Sequence, residues 1–178
     1  SPDYETKSSY DFTLIVTDYD GYGLSSSPKA FTLNIIDLEE DDYSANTSTT
    51  GSLSIGASTT GNIEAVDDQD WFAVNLVAGT IYQIDLEGSP TSAGTLADPY
   101  LRGIYNPSGS LITGTTNDDG GTSRNSQLSY TATSTGIHYI AAGAYESSYY
   151  DNIGTYRLGI TQIGSADDYS ANTSTTGK

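Results

Sequence analysis

The chain is made of short runs of β-branched and aromatic residues, and groups of Asn, Asp, Gly and Pro separate these runs. Most runs alternate between apolar and polar positions, as half-buried strands do, and no stretch has helical periodicity. The separating groups, such as residues 106–109 and 117–121, tolerate the left-handed backbone of tight turns. Short strands at this spacing predict a β-sandwich. The predicted strands are residues 12–16, 31–36, 71–76, 81–86, 100–105, 127–132, 137–142 and 156–160.

One segment occurs twice in the chain. Residues 41–51 (Asp-Asp-Tyr-Ser-Ala-Asn-Thr-Ser-Thr-Thr-Gly) return as residues 167–177 without a single change. An identical copy at this distance indicates a tandem module. We therefore predict a module that begins near Asp41 and ends near Ala166, a second copy that begins at Asp167, and a longer parent protein.

Charge and composition exclude several classes of partner. The chain has 23 acidic and 6 basic residues, which gives a net charge of −17. Such a surface repels nucleic acid phosphates and anionic lipid, whereas multivalent cations are favoured partners. No run approaches the roughly 18 apolar residues that a membrane span needs, so we expect no membrane insertion. The absence of cysteine excludes thiol and disulfide chemistry. The first residues do not form a signal peptide, and any such signal is expected outside this chain.

The residues give little support to an enzyme. Neither a Gly-x-Ser-x-Gly elbow nor a His-Glu-x-x-His motif occurs in the sequence. The single histidine, His138, falls within a predicted strand, where a structural role is the simpler interpretation. Trp71 and Phe72 lie in an alternating run and are expected in the core. The sequence therefore predicts a protein that is not an enzyme.

Residues 1–38, with Glu39 directly after them, carry the pieces of one known family. These pieces are Asp3-Tyr4-Glu5, the Val-Thr-Asp-Tyr-Asp-Gly run at 16–21, and the Leu-Asn-Ile-Ile-Asp-Leu-Glu run at 33–39. They resemble the C-terminal half of a cadherin-like repeat, which implies a partial Ig-like β segment. In that family, acidic residues of these pieces coordinate calcium between modules. The matching positions here are Asp3, Glu5, Asp18 and Asp37.

Residues 39–166 carry the ordered pieces of a second family. The pieces include Asp-Gln-Asp-Trp-Phe at 68–72, Asp-Pro-Tyr-Leu at 98–101, Tyr-Asn-Pro-Ser-Gly at 105–109 and Gly-Thr-Tyr-Arg-Leu at 154–158. The module resembles a bacterial pre-peptidase C-terminal domain, the family that includes the collagen-binding domains of clostridial collagenases. The resemblance implies a jelly-roll-like antiparallel β-sandwich. It also implies calcium binding where the acidic entry segment meets the Asp-x-Asp loop. Residues 167–178 then begin the second copy.

Clustered carboxylates are the candidate metal ligands. Residues 37–42 hold five carboxylates in six positions, a density that costs repulsion unless a cation or solvent relieves it. Calcium takes six to eight oxygens, at about 2.3–2.6 Å, and carboxylates on turns supply them. Acidic linkers are often only solvated, and Asp in turns often caps backbone amides. The predicted ligands are Asp37, Glu39, Asp41, Asp42, Asp68 and Asp70. Weaker candidates are Asp118 and Asp119, and Asp3, Glu5 and Asp18 of the cadherin-like pieces.

Two functions follow as competing hypotheses. The first is a non-catalytic, calcium-binding module of a secreted bacterial protein, in which calcium orders the linker and stiffens an array of neighbouring modules. The second is an adhesive module that binds polysaccharide or another cell-surface ligand through the loop of Tyr145, Tyr149 and Tyr150, whose rings can stack on sugars. A passive spacer or a processing appendage beside a protease is a third class.

Overall fold

The computed structural model describes residues 9–14, 29–34, 41–145 and 152–165. The chain divides into two compact units, Ser1–Glu40 and Asp41–Lys178. The described residues form nine strands and one short 3-10 helix, Ser89–Thr91. No helix among them has the length and apolar character to cross a bilayer. The strands are β1 (Ser9–Leu14), β2 (Lys29–Asn34), β3 (Ser58–Ile63), β4 (Gln69–Leu76), β5 (Thr80–Glu87), β6 (Pro99–Tyr105), β7 (Ser126–Thr131), β8 (Gly136–Ala144) and β9 (Gly154–Ser165).

The described part of the first unit is a single antiparallel pair. Strands β1 and β2 pair with Phe12 opposite Phe31. Both overlap strands that the sequence predicts. The five predicted calcium ligands of this unit, Asp3, Glu5, Asp18, Asp37 and Glu39, lie outside the described residues. The cadherin-like identity of the unit stays a prediction.

The second unit is an antiparallel β-sandwich, which confirms the predicted fold class. One sheet has the order β3-β9-β5-β7 and the other has the order β4-β8-β6. The alternation read from the sequence places one apolar face of each sheet inside the sandwich. Each fully buried large apolar side chain contributes about 1.5–3 kcal/mol to this core. Core residues from the two sheets include Phe72, Val74, Leu76, Tyr82, Ile84, Leu86, Ile140, Tyr156, Leu158 and Ile160.

Strand β4 is buried on both faces. Phe72 lies in the main core, whereas Trp71 packs on the opposite face of the sheet with Tyr139 and Ala141. The Trp71 ring lies 4.0 Å from the ring of Tyr105, centroid to centroid. Both members of the Trp71-Phe72 pair are therefore packed, as the alternating pattern predicts.

Strand β3 is absent from the predicted strands. Its sequence is Ser-Thr-Thr-Gly-Asn-Ile, which has one large apolar side chain, Ile63. It lies at the edge of the four-stranded sheet and pairs with β9 alone. Only Gly61 and Ile63 of this strand are buried, so apolar periodicity gives no signal for it.

The entry segment, residues 41–53, is fixed along the edge of β4. Ala73 N donates to the carbonyl of Gly51 at 3.0 Å, and Leu53 N donates to the carbonyl of Ala73 at 2.9 Å. The ring of Tyr43 packs 4.6 Å from that of Phe72, and Thr49 Oγ1 donates to the carbonyl of Trp71 at 2.8 Å. These contacts hold the acidic start of the segment beside the beginning of β4.

Candidate metal centre

Four carboxylates from three parts of the second unit meet at one end of the sandwich. Asp41 and Asp42 begin the entry segment, Glu64 follows β3, and Asp70 is the second residue of β4. One carboxylate oxygen of each lies within 4.8 Å of the others. We call these four residues the entry cluster.

The turn between β3 and β4 adds a fifth carboxylate. Asp68 N donates to the carbonyl of Ala65 at 3.3 Å, and Asp67 has the left-handed φ of 69°. Asp68 Oδ2 in turn accepts the amide of Glu64 at 3.2 Å. The closed turn therefore holds the Asp68 carboxylate next to Glu64.

Hydrogen bonds from Asn62 hold two members of the entry cluster, Asp42 and Glu64, in place. The backbone amide of Asn62 donates to Asp42 Oδ2 at 3.2 Å, and its side-chain Nδ2 donates to Glu64 Oε1 at 3.2 Å. Asp41 Oδ1 accepts the amide of Tyr43 at 3.0 Å. Asn62 of β3 thus links Asp42 of the entry segment to Glu64, which follows β3.

Asp70 is oriented from inside the core. It shares the inner face of β4 with Phe72, is 0% exposed, and accepts the hydroxyl of Tyr156 at its Oδ2. Gly61 faces Tyr156 across the β3–β9 pair. A Cβ at Gly61 would lie 2.2 Å from the Tyr156 hydroxyl, so the contact requires glycine.

Two oxygens of the entry cluster, Asp70 Oδ1 and Glu64 Oε2, are buried and accept no hydrogen bond from an N–H or hydroxyl group of the described residues. The neighbouring carboxyl groups of Asp42 and Asp68 can hydrogen-bond to these side chains only by sharing a proton. Leaving a buried acceptor unpaired costs about 1–3 kcal/mol, and more when it is charged. A cation bound at this place would remove that cost.

Crowding and burial change the acidity of these groups. Burial, with the neighbouring charges of Asp42 and Asp68, raises the pKa of Asp70 to about 9. Burial and the contact with Asp68 raise the pKa of Glu64 to about 7. Burial also raises the pKa of Asp42. Arg124 and Arg157 form their ion pairs elsewhere, with Asp98 and Glu87.

The dimensions of the entry cluster suit a calcium ion. Oxygens on opposite sides of an ion that binds at about 2.3–2.6 Å are separated by roughly 4.6–5.2 Å, and the four carboxylates fall within 4.8 Å. A cleft of about 480 Å³ opens on one side of Asp42 and is also lined by Asn62 and Tyr156. The donor set is entirely carboxylate, as expected for a hard cation.

The structure brings together some predicted ligands and adds one. Asp41, Asp42 and Asp70 lie in the entry cluster with Asp68 beside them, while Asp37 and Glu39 lie outside the described residues. Glu64 was not among the predicted ligands, because only the pairing of β3 with β9 turns the end of β3 toward Asp70. Its place just before the Asp-rich turn was the one sequence signal for it.

The weaker candidates lie at a different place in the sandwich. Asp118 and Asp119 each have a carboxylate oxygen within 4.8 Å of one from Asp98, which was not a predicted ligand. Tyr145, of the predicted tyrosine loop, is 45% exposed and its ring lies edge-on to Tyr100 at 6.3 Å. Tyr149 and Tyr150 lie outside the described residues.

Comparisons with known proteins give only loose likenesses. No family model and no curated protein matches the chain significantly. The pre-peptidase C-terminal domain of a collagenase from Bacillus anthracis is 14% identical, with a TM-score of 0.46 over 62% of this chain and 92% of that domain. PliG of Aeromonas hydrophila, a periplasmic inhibitor of g-type lysozyme, is 15% identical, with a TM-score of 0.41 over 62% of this chain and 96% of PliG. These values assign the chain to no family, and the resemblances read from the sequence stay predictions.

Proposed function

We propose that the second unit is a non-catalytic module that binds calcium at the entry cluster. The observation that carries the proposal is the buried Oδ1 of Asp70, which lies among four clustered carboxylates and accepts no hydrogen bond from an N–H or hydroxyl group of the described residues. In this proposal Asp41, Asp42, Glu64 and Asp70 supply the ligands, and Asp68 orients Glu64 or adds an oxygen. Water completes the six to eight positions that calcium takes.

Calcium bound at this site fixes the entry segment to the body of the sandwich. Asp41 and Asp42 belong to that segment, whereas Glu64 and Asp70 belong to the sheets. Without the ion, the carboxylates repel one another or must hold protons. The proposed role is therefore to order the start of the module where calcium is plentiful, as outside a bacterial cell, and to leave it looser where calcium is scarce. Participation of Asp37 and Glu39, and stiffening of an array of modules, remain predictions.

The absence of catalysis is part of the same proposal. His138 is buried in β8, and its ring nitrogens lie 3.0 Å from the carbonyl of Gly136 and 3.2 Å from Ser134 Oγ. These contacts support a structural role for this histidine.

Isothermal titration of calcium into chelator-treated protein tests the proposal. Wild type is expected to bind calcium saturably and more tightly than magnesium, and Asp70→Asn is expected to lose the entry-cluster event. Asp67→Asn is the matched control, because it removes one charge from the same turn at an exposed position outside the cluster. A wild-type titration without saturable binding, or equal losses in both variants, would contradict the proposal.

A surface-binding module is the second candidate, and one group of side chains favours it. The exposed ring of Tyr145 lies against Tyr100, and the guanidinium of Arg102 lies 5.1 Å from the centroid of the Tyr100 ring. Aromatic rings beside a guanidinium suit a polysaccharide. Loss of polysaccharide binding in Tyr145→Ala, with unchanged calcium affinity, would favour this function. An equal response in wild type and variant would exclude this ring from the ligand surface.

A further inference from the structure

A second acidic cluster lies apart from the entry cluster, and none of its members is part of the proposed calcium site. Asp98 precedes β6, and Asp118 and Asp119 lie on the turn between residues 117 and 120. One carboxylate oxygen from each lies within 4.8 Å of the other two. We call these three residues the turn cluster.

Backbone pairing brings the three residues together. Leu101 N donates to the carbonyl of Asn117 at 3.0 Å, and Asn117 N donates back to the carbonyl of Leu101 at 3.0 Å. Asn117 Oδ1 accepts the amides of Gly120 and Gln127, each at 3.0 Å. The turn is thus held in place by hydrogen bonds that do not involve the carboxylates of Asp118 and Asp119.

The burial of Asp98 is a second observation that points to a bound cation. It exposes 9% of its surface, and its Oδ1 is buried and accepts no hydrogen bond from the part of the chain that the structure describes. Its Oδ2 accepts from Arg124 Nη1 at 3.2 Å, and its carbonyl accepts the amide of Tyr145 at 2.9 Å. One Asp98 oxygen is therefore left without compensation, beside two further carboxylates.

We propose that Asp98, Asp118 and Asp119 form a second site for a hard divalent cation, with calcium as the ion that best suits carboxylate oxygens on a turn. Burial raises the pKa of Asp98 and of Asp118, as does the neighbouring charge of Asp119, whereas Arg124 opposes the shift. The site is weaker than the entry cluster, because it has three carboxylates and two of them are exposed. Water fills its open positions.

Arg124 competes with the cation for Asp98. Its side chain is 65% exposed and reaches Asp98 through one nitrogen. A cation that approaches Asp98 is repelled by this guanidinium. Removing the guanidinium charge therefore strengthens cation binding here, whereas a purely structural ion pair would give a variant with lower stability and no gain in binding.

Calcium titration of four variants of the full chain tests this site separately from the entry cluster. In Asp70→Asn, one weaker saturable event is expected to remain in physiological salt. Adding Asp118→Asn and Asp119→Asn to this variant is expected to abolish the remaining event. Adding Asp67→Asn and Asp85→Asn instead removes the same amount of charge elsewhere and is expected to leave the event in place. Adding Arg124→Gln to Asp70→Asn is expected to tighten the event several-fold. Thermal melts in chelator verify that each variant folds.

The outcomes are distinguishable. If Asp70→Asn abolishes all saturable binding, the turn cluster is no site and only the entry cluster binds. If the weaker event survives the Asp118→Asn and Asp119→Asn pair, or if Arg124→Gln leaves its affinity unchanged, the second site is overturned. If wild type itself shows one event, and only the Asp118→Asn and Asp119→Asn pair removes it, the second site stands and the proposed function of the entry cluster fails.

Discussion

The Tyr156 hydroxyl donates to Asp70 Oδ2 inside the sandwich, and both residues are 0% exposed. Tyr156 lies on β9 and Asp70 on β4, so the bond joins the two sheets. It occupies one oxygen of the carboxylate and leaves the other for the entry cluster. A ligand of the proposed calcium site is thus positioned by the core of the sandwich.

Replacing Tyr156 by phenylalanine tests this bond. The variant leaves Asp70 buried without its donor, and we expect the free energy of unfolding to fall by about 1–3 kcal/mol. Calcium affinity is also expected to weaken, because the carboxylate is no longer oriented. Urea unfolding in chelator and calcium titration measure the two effects.

Tyr130→Phe is the matched control for that variant. The Tyr130 hydroxyl is buried and has no hydrogen-bond partner among the described residues, so its removal is expected to leave stability unchanged or to raise it slightly. Equal losses of stability in the two variants would show that the Tyr156–Asp70 bond contributes nothing specific.

The second prediction concerns close packing at Gly61. An alanine Cβ there would lie 2.2 Å from the Tyr156 hydroxyl and 3.0 Å from Asp70 Oδ2. Gly61→Ala is therefore expected to destabilise the protein by about 1–3 kcal/mol and to weaken calcium binding. Gly159→Ala, on the partner strand, meets its nearest atom at 3.7 Å and is expected to be tolerated. Thermal melts and calcium titrations of both variants measure these effects. Equal losses of stability and of calcium affinity in the two variants would contradict the prediction.

The third prediction concerns pH in the absence of calcium. The unfolded chain ionises its carboxyl groups with pKa values of about 4, whereas folding raises the pKa of Glu64 to about 7 and that of Asp70 to about 9. The folded state therefore binds more protons over this window, and its free energy of unfolding falls as pH rises through it. Melting temperatures in chelator are expected to drop between mildly acidic and mildly alkaline pH.

Glu64→Gln separates this effect from the general repulsion of an acidic protein. Its melting temperature is expected to fall less steeply with pH than that of wild type, and to exceed it at alkaline pH. Asp67→Asn removes a neighbouring charge and is expected to keep the wild-type slope. If the melting temperatures of Glu64→Gln and wild type fall equally steeply with pH, the raised pKa of Glu64 does not contribute to the pH dependence.

The fourth prediction concerns the turn that carries Asp118 and Asp119. Asn117→Ala removes the acceptor of two backbone amides, those of Gly120 and Gln127. We expect a loss of about 1–3 kcal/mol in the free energy of unfolding. Asn75→Ala, at an exposed position of β4, is the control and is expected to be nearly neutral. An unchanged urea midpoint for Asn117→Ala would show that the turn is fixed by other contacts.

Sequence patterns predicted the sandwich well, because buried strands must alternate or be continuously apolar. Strands β4 and β5 follow this rule, and their burial matches the predicted runs. Strand β8 is buried from His138 onward, whereas Ile137 at the start of its predicted run is exposed. Strand β3 does not follow the rule, since its two buried residues are Gly61 and Ile63 and glycine gives no apolar signal.

The candidate sites were predictable only where ligands are neighbours along the chain. Asp41, Asp42, Asp68 and Asp70 stand in acidic runs that the sequence displays directly. Glu64 and Asp98 gain their places from pairings, those of β3 with β9 and of Leu101 with Asn117, which no local pattern reports. Residues that are far apart in sequence come close together only through the order in which the strands pair.

The hydrogen bonds between the entry segment and β4 have a consequence for aggregation. Strand β4 is an edge of the three-stranded sheet, and Gly51 and Leu53 satisfy both backbone groups of Ala73. Uncovered edges are templates for pairing with other molecules. A fragment that starts after Leu53 would expose this edge and would also lose Leu53 and Tyr43 from the core. It is expected to self-associate through the exposed edge of β4.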